Sequence, residues 1–298
     1  MSNAQPSLAR AHTLGLAVLI AGSVALGSLM QTGAAEAGTL EKIAANGRIT
    51  VANVEDLPPF SFTGDDGIPS GLSIELCRAV VSELATQLEV PIISIDYVPV
   101  TLQTRLDTIV SGRADMECGA TTVTLGRRER VDFSIPFFAS GASIAVADVT
   151  ALPNIEALSG KRIAVVEGTT TQNAIKAALR ANRIDVDIVT VDRTAEAVVA
   201  IREDRADGIA HDKMILVGLI QDPLGADLVT LPGLLSFEPY GIVLPRGDAD
   251  FRLAVDRALI GLYQDGVLDD LYEKWLAPLG ARPGATLERM LQLQAVPE

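Results

Sequence analysis

The residues best suited to chemistry lie in one stretch, Asp115 to Phe138. A short apolar run through Ala114, Met116 and Cys118 ends at Gly119-Ala120. Thr121, Thr122 and Thr124 follow, and then a cluster of Arg127, Arg128 and Arg130. This pattern reads as a buried strand that stops at a glycine and feeds a short helix. Thr122 and Thr124 are suited to cap that helix, whose first amides have no intrahelical partner. Free amides and hydroxyls with an arginine one turn further on make a receptor for a carboxylate. Arg127 is the first choice for that arginine, because a guanidinium grips a carboxylate with two parallel hydrogen bonds and an ammonium cannot. The plainer alternative is a capped surface helix with solvated arginines, the reading we adopt for Arg128 and Arg130.

The elements that must position these residues alternate between strand and helix. Arg48 to Val54 is β-branched and alternating, which predicts a first strand. Pro58-Pro59 then forces a loop carrying Asp56 and Phe60, and Thr63 to Gly67 predicts a hairpin turn. A helix is expected from Ser73 to about Leu88, a strand over 92–98, a helix over Leu102 to Val110 and a strand over 114–118. A second series starts near Ser140. It has strands over 161–166, 186–191, 206–210 and 228–231, with helices from the Gly168-Thr169-Thr170 turn to about Ala181, over 194–203 and over 214–220. Tyr240 to Leu244 predicts one more strand, followed by helices over 248–264, 267–275 and 286–294. Alternation of this kind implies mainly parallel sheets covered by helices, in two α/β units.

Other candidates take their places from these elements. Gly168 permits a tight bend, and the helix start at Thr169-Thr170 could reach the same carboxylate from across a cleft. Asp212 follows an apolar strand at its ligand-facing end. It either pairs with an ammonium or caps the helix from Lys213. Phe60 either covers the apolar stem of a ligand or belongs to the core. His211 is read as structural or exposed. Cys77 and Cys118 are the only two cysteines, either joined in a disulfide or buried as free thiols; their spacing fits no zinc or redox motif.

The 298 residues suffice for two domains, and an apolar share of 48 % suffices for their cores. A net charge of −14 argues against nucleic acid or an anionic membrane surface as partner. Near the start, Arg10 and His12 precede an apolar run from Leu14 to Leu29 and then Ala35-Glu36-Ala37. We read residues 1–37 as a secretory signal peptide cleaved after Ala37; an uncleaved anchor is the alternative. The expected mature protein is soluble and periplasmic. No metal-ligand cluster or cofactor motif is present, and none is expected to be needed.

The run from Glu117 to Thr122, followed by Thr124-Leu125-Gly126-Arg127-Arg128 and Asp132-Phe133-Ser134, resembles the signature of polar amino-acid solute-binding proteins of ABC importers. The glutamate/aspartate receptors are the nearest subgroup. The resemblance covers roughly Gly38 to Pro278. It implies a two-lobed periplasmic-binding-protein type II fold with a discontinuous first lobe, 38–140 plus 241–298. The second lobe, 143–238, is inserted, with hinge crossings near 139–143 and 237–242. It also implies a monomer that binds an L-amino acid and hands it to a membrane permease. In such proteins the arginine at the Arg127 position holds the α-carboxylate, and the one at the Arg105 position faces the ligand side chain. Ala120 stands where serine is common, though its carbonyl could still accept from an ammonium. The implied ligand set is Asp56, Phe60, Arg105, Ala120, Thr122, Arg127, Thr170 and Asp212.

Departures leave the ligand open between an acidic and a polar neutral amino acid. Leu125-Gly126 replace a proline and a glutamate, and Val54, Leu102 and Thr194 stand where the glutamate/aspartate receptors carry arginine, serine and histidine. The competing class is an enzyme like the cyclohexadienyl dehydratases, which share this fold. Those enzymes place a glutamate just after the Gly-Thr turn, and here Thr171, Gln172 and Asn173 follow. No nucleophile elbow or metalloprotease motif is present.

Overall fold

A computed structural model describes residues 38–221, 225, 227–282 and 284–294. The signal-peptide reading of residues 1–37 lies outside the described residues. Among the described residues no helix is long and apolar enough to cross a membrane.

The chain begins with α1 (Thr39–Asn46), β1 (Arg48–Val54), β2 (Asp56–Leu57), β3 (Ser61–Thr63), β4 (Pro69–Ser70) and α2 (Leu72–Gln87). Then come β5 (Ser94–Val100), α3 (Arg105–Val110), β6 (Met116–Glu117), α4 (Leu125–Arg128), β7 (Asp132–Phe133) and β8 (Phe138–Ser140). The middle of the chain supplies β9 (Ala142–Val146), β10 (Arg162–Val166), α5 (Thr170–Asn182), β11 (Asp187–Val191), α6 (Thr194–Arg202), β12 (Gly208–Asp212), α7 (Lys213–Gln221) and β13 (Val229–Thr230). It closes with β14 (Glu238–Tyr240), β15 (Val243–Leu244), α8 (Ala249–Gln264), α9 (Val267–Trp275) and α10 (Ala285–Gln294).

These elements build two lobes on two five-stranded sheets. One sheet has the order β5-β1-β6-β15-β7 and the other β11-β10-β12-β9-β13. In each, a single strand opposes the rest: β15 is antiparallel to β6 and β7, and β9 is antiparallel to β12 and β13. Strand–helix alternation predicts only the parallel strands. The reversed ones follow directly on the two crossings, with no helix to turn the chain back. The crossings are β8 and β14, which pair antiparallel with Glu238 opposite Ser140 and Tyr240 opposite Phe138. The expected strand 240–244 therefore splits. Tyr240 ends the crossing, Val243 enters the sheet, and Gly241-Ile242 lie between.

The central strands are buried on both faces, so β10 reads as a nearly continuous apolar run and β1 as a mainly apolar one. At the crossing, Phe138 and Tyr240 form an aromatic cluster with Phe60, with ring centroids 5.0 to 5.8 Å apart. The other lobe adds a smaller core around Ile163, Val165, Ile175 and Leu179. Cys77 on α2 and Cys118 just after β6 form a disulfide with an S–S distance of 1.98 Å. It ties the helix covering the first sheet to the strand end that carries the threonines.

Close backbone approaches hold the lobes in register. At Gly141 a Cβ would lie 2.1 Å from the Ser236 carbonyl, so the two crossings can run side by side only with glycine there. At Gly218 of α7 a Cβ would meet the Pro58 carbonyl at 2.4 Å, which lets a helix of one lobe rest on the proline loop of the other.

Candidate functional site

The edges of the two sheets meet over a narrow cleft lined by Arg105, Ala120, Thr122, Arg127, Thr170, His211 and Asp212, together with Leu57 and Leu102. Six of the eight residues expected to bind ligand therefore share one cavity. Asp56 and Phe60 are not on its lining. Phe60 is fully buried in the aromatic cluster, as its apolar ring and the turn imposed by Pro58-Pro59 require. Asp56 sits at the rim, where its carboxylate accepts from the Thr194 amide at 3.1 Å and lies 3.6 Å from Arg193. It thus fills the open start of α6 across the cleft, a favourable place for a negative charge.

The first side of the site comes from the loop after β6 and from α3 and α4. Thr124 caps α4 by accepting from the Arg127 amide at 3.1 Å. Thr122 is no helix cap: its hydroxyl turns into the cleft and donates to Glu238 at 2.7 Å. Arg127 is half-buried, and its Nη1 donates to the Thr122 carbonyl at 2.7 Å, which fixes the guanidinium at the cleft wall. Arg128 and Arg130 are exposed, and Arg130 pairs with Asp107.

Arg105 is almost completely buried, at 3 % exposure. Its Nε donates to the Thr121 hydroxyl at 2.8 Å, and its Nη1 to the Leu102 carbonyl. Burial, helped by the like charge of Arg127, lowers its pKa to about 10, while Glu117 and Asp212 act to raise it; it remains a cation at neutral pH. Glu117, fully buried behind it, is pushed up by burial and held down by the Arg105 charge and the Thr121 hydroxyl. Two arginine cations thus face one small cavity.

The second side comes from β10–α5 and β12. Gly168 has a φ of 72°, which only glycine adopts freely, and the chain turns there into α5. Thr169 caps that helix by accepting from the Gln172 amide at 3.1 Å, which leaves the Thr170 hydroxyl for the cleft. Thr170 and Thr122 both donate to Oε2 of Glu238, and their own hydroxyl oxygens lie 3.3 Å apart. Asp212 ends β12 and is 5 % exposed, and its Oδ1 has no hydrogen-bond partner. Burial, reinforced by Glu238, drives its carboxyl well above the usual range.

His211 is buried on the cleft lining rather than exposed. Its Nδ1 accepts from the Asp212 amide at 2.8 Å, so that nitrogen carries no proton. Burial lowers its pKa to about 4, and the imidazole is neutral at physiological pH.

Glu117, Glu238 and Tyr240 escaped the sequence reading. Glu238 and Tyr240 lie more than a hundred residues from the threonine motif and reach it only because β14 pairs with β8. The one signal available was a charged residue beside Pro239 at the start of an apolar strand. Glu117 sits inside an apolar run next to the recognised threonines, and a lone acid there was the missed clue. Among the described residues no group of histidine, cysteine and acidic side chains is arranged to hold a metal.

The profile of bacterial extracellular solute-binding proteins, family 3, matches residues 49–278. The chain is 31 % identical over 240 residues to the L-glutamate/L-aspartate-binding protein of Pseudomonas aeruginosa, covering 80 % of each chain. It is 28 % identical over 244 residues to the L-cystine-binding protein of Escherichia coli, covering 81 % of this chain and 87 % of that one. Among solved structures, the ancestral amino acid-binding protein AncCDT-1, a precursor of cyclohexadienyl dehydratase, is similar with a TM-score of 0.71 and 28 % identity. That match covers 80 % of this chain and 99 % of the other. With both five-stranded sheets and the cleft residues inside the matched span but for the first residue of β1, the chain belongs to the bacterial extracellular solute-binding proteins, family 3.

Proposed function

We propose that this protein is an extracytoplasmic receptor that binds an L-amino acid in the interlobe cleft and delivers it to an ABC importer. One observation carries the reading: a half-buried arginine on one lobe and a buried carboxyl on the other, with one oxygen lacking a hydrogen-bond partner, face the same cavity. Arg127 complements an α-carboxylate and Asp212 an α-ammonium, so the site has the charge pattern of a zwitterion.

The ligand class we infer is acidic, with L-glutamate and L-aspartate first. A second buried cation, Arg105, lies within the site and is held by Thr121 and Leu102. A neutral side chain would leave that charge without a ligand partner. The likeness to the L-glutamate/L-aspartate-binding protein supports the choice. The receptor works by closure. The lobes, 38–140 plus 241–298 and 143–238, rotate about β8 and β14, and the ligand favours the closed state because it touches both.

The resemblance to the dehydratase precursor favours an enzyme only weakly. No acid follows the Gly168-Thr169 turn, and Glu238 is already occupied by the hydroxyls of Thr122, Thr170 and Ser236. Calorimetric titration with the twenty amino acids tests the reading. Saturable binding of an acidic amino acid is the expected result, and a panel without binding would overturn it.

A further inference from the structure

Read from sequence, the cleft threonines offer hydroxyl donors to a ligand carboxylate. In the structure their protons are committed elsewhere. Thr122 donates to Glu238 Oε2 at 2.7 Å, and Thr170 donates to the same oxygen. The two hydroxyl oxygens lie 3.3 Å apart, long for an O–H···O bond, so both protons serve the acid rather than each other.

Glu238 is itself locked in place. It lies on the crossing strand β14, is 2 % exposed and stands outside the cleft lining. Its Oε1 accepts from the Ser236 hydroxyl at 2.8 Å, and that hydroxyl accepts in turn from the Ala142 amide at 2.9 Å. A carboxylate has acceptors and no proton to give, so a hydroxyl that bonds to it is the donor. Turning either threonine proton toward the cleft would strip a donor from a buried acid, which is costly.

A hydroxyl carries one proton and two lone pairs. With their protons directed at Glu238, Thr122 and Thr170 have only acceptor capacity left for the cavity they line. Asp212 is on the same lining, and its Oδ1 has no hydrogen-bond partner. The two lobes thus bring three acceptor oxygens to one cavity, and an ammonium has three N–H donors.

We propose that Glu238 is a positioning residue that fixes the hydroxyls of Thr122 and Thr170 as acceptors, so that with Asp212 they seat the α-ammonium of the ligand. Glu238 touches no ligand and acts through the two threonines. The α-carboxylate is left to Arg127, a group with donors and no acceptor. The inference rests on the receptor reading and adds to it the hydrogen-bond polarity of the site. It also gives that site a means of selection. A des-amino acid would meet the hydroxyl oxygens with nothing to donate, and unpaired buried polar groups discriminate strongly. Because Thr122 and Thr170 come from opposite lobes, the seat is complete only when the cleft is closed.

The test is calorimetric titration of the full chain with L-glutamate and, by competition at high concentration, with glutarate, the same dicarboxylate without the amine. The readout is the ratio of the two dissociation constants, in which a loss of stability or closure common to both ligands cancels. Wild type should favour L-glutamate. Glu238→Gln puts an amide with its own N–H donors behind the threonines, so a hydroxyl accepts from it and turns its proton into the cleft. The preference for L-glutamate should fall by about tenfold or more. Thr170→Val leaves the buried acid in place and removes one acceptor, and it should lower the preference by a similar factor, which keeps the test decisive if Glu238→Gln fails to fold. An unchanged ratio in either folded variant, with L-glutamate and glutarate weakened equally, would overturn the inference while leaving the receptor reading intact. A wild type that binds no amino acid of the twenty would overturn both.

Discussion

The hydroxyl oxygens of Thr122 and Thr170 lie 3.3 Å apart, although the first belongs to the loop after β6 and the second to the start of α5. Both donate to Glu238, so a residue on the hinge holds the closing faces of the two lobes together. Gln103 adds a bond to the Asp192 carbonyl at 3.0 Å, and Asp56 one from the Thr194 amide. The cleft is therefore closed. Arg127, anchored on the Thr122 carbonyl, is part of the same assembly.

Arg127→Ala should abolish measurable amino-acid binding in calorimetry. Losing a desolvated carboxylate contact costs about 2–5 kcal/mol. Arg127→Lys should recover little, because a point charge cannot form the two-pronged contact. The fold should survive, as Arg127 is half-buried and its main-chain bond to Thr124 remains.

Arg105 should set side-chain preference rather than α-carboxylate binding. Arg105→Gln alone removes the positive charge that counters the effect of burial on Glu117, and should lower stability. The double variant Arg105→Gln/Glu117→Gln removes both charges and should melt closer to wild type. Competition between L-glutamate and L-glutamine in that double variant should show the preference for the acid lost.

Asp212 places function against stability. Its folded-state pKa is raised, so the folded protein holds the proton more tightly than the unfolded chain does. Its penalty therefore appears as pH rises above the ordinary carboxylate value and persists at neutral pH. Asp212→Asn should raise the melting temperature of the unliganded protein at neutral pH. It should also weaken amino acids far more than their des-amino analogues. Equal losses for both ligand types would remove the ammonium role.

His211 carries the opposite slope. Its folded-state pKa is depressed to about 4, so the unfolded chain binds more protons between that value and the ordinary imidazole range. Its effect is absent above pH ~6.5 and destabilises by up to about 3 kcal/mol as pH falls through 4. Because Asp212 runs the other way, the quantity to compare is the difference between wild type and His211→Gln. Thermal melts across that range should show the difference narrowing toward low pH.

Much of this arrangement was legible in local sequence. Arg127 and Thr170 sit beside glycines and threonines that mark strand-to-helix turns, and the strands leading to them are apolar enough to recognise. Residues brought in by long-range pairing were not legible. Glu238 has no local pattern, and only the antiparallel pairing of β14 with β8 carries it to the hydroxyls of Thr122 and Thr170. Phe60 could be read either way, because a buried aromatic and a ligand-covering aromatic look alike in one dimension; its contacts with Phe138 and Tyr240 decide for the core. The reversed strands β9 and β15 were hidden for a related reason. Direction depends on where the chain re-enters a lobe, and periodicity carries no record of that. The position of Asp56 at the start of α6 likewise depends on how the lobes meet.

The most direct test of the account is a crystal structure of the protein with L-glutamate, read from the difference density in the cleft. One zwitterion should lie there. Its α-carboxylate should lie on Arg127, its ammonium on Asp212, and its side-chain carboxylate against Arg105. Density for the amino acid outside this cleft, or a ligand turned so that its ammonium faces Arg127, would contradict it.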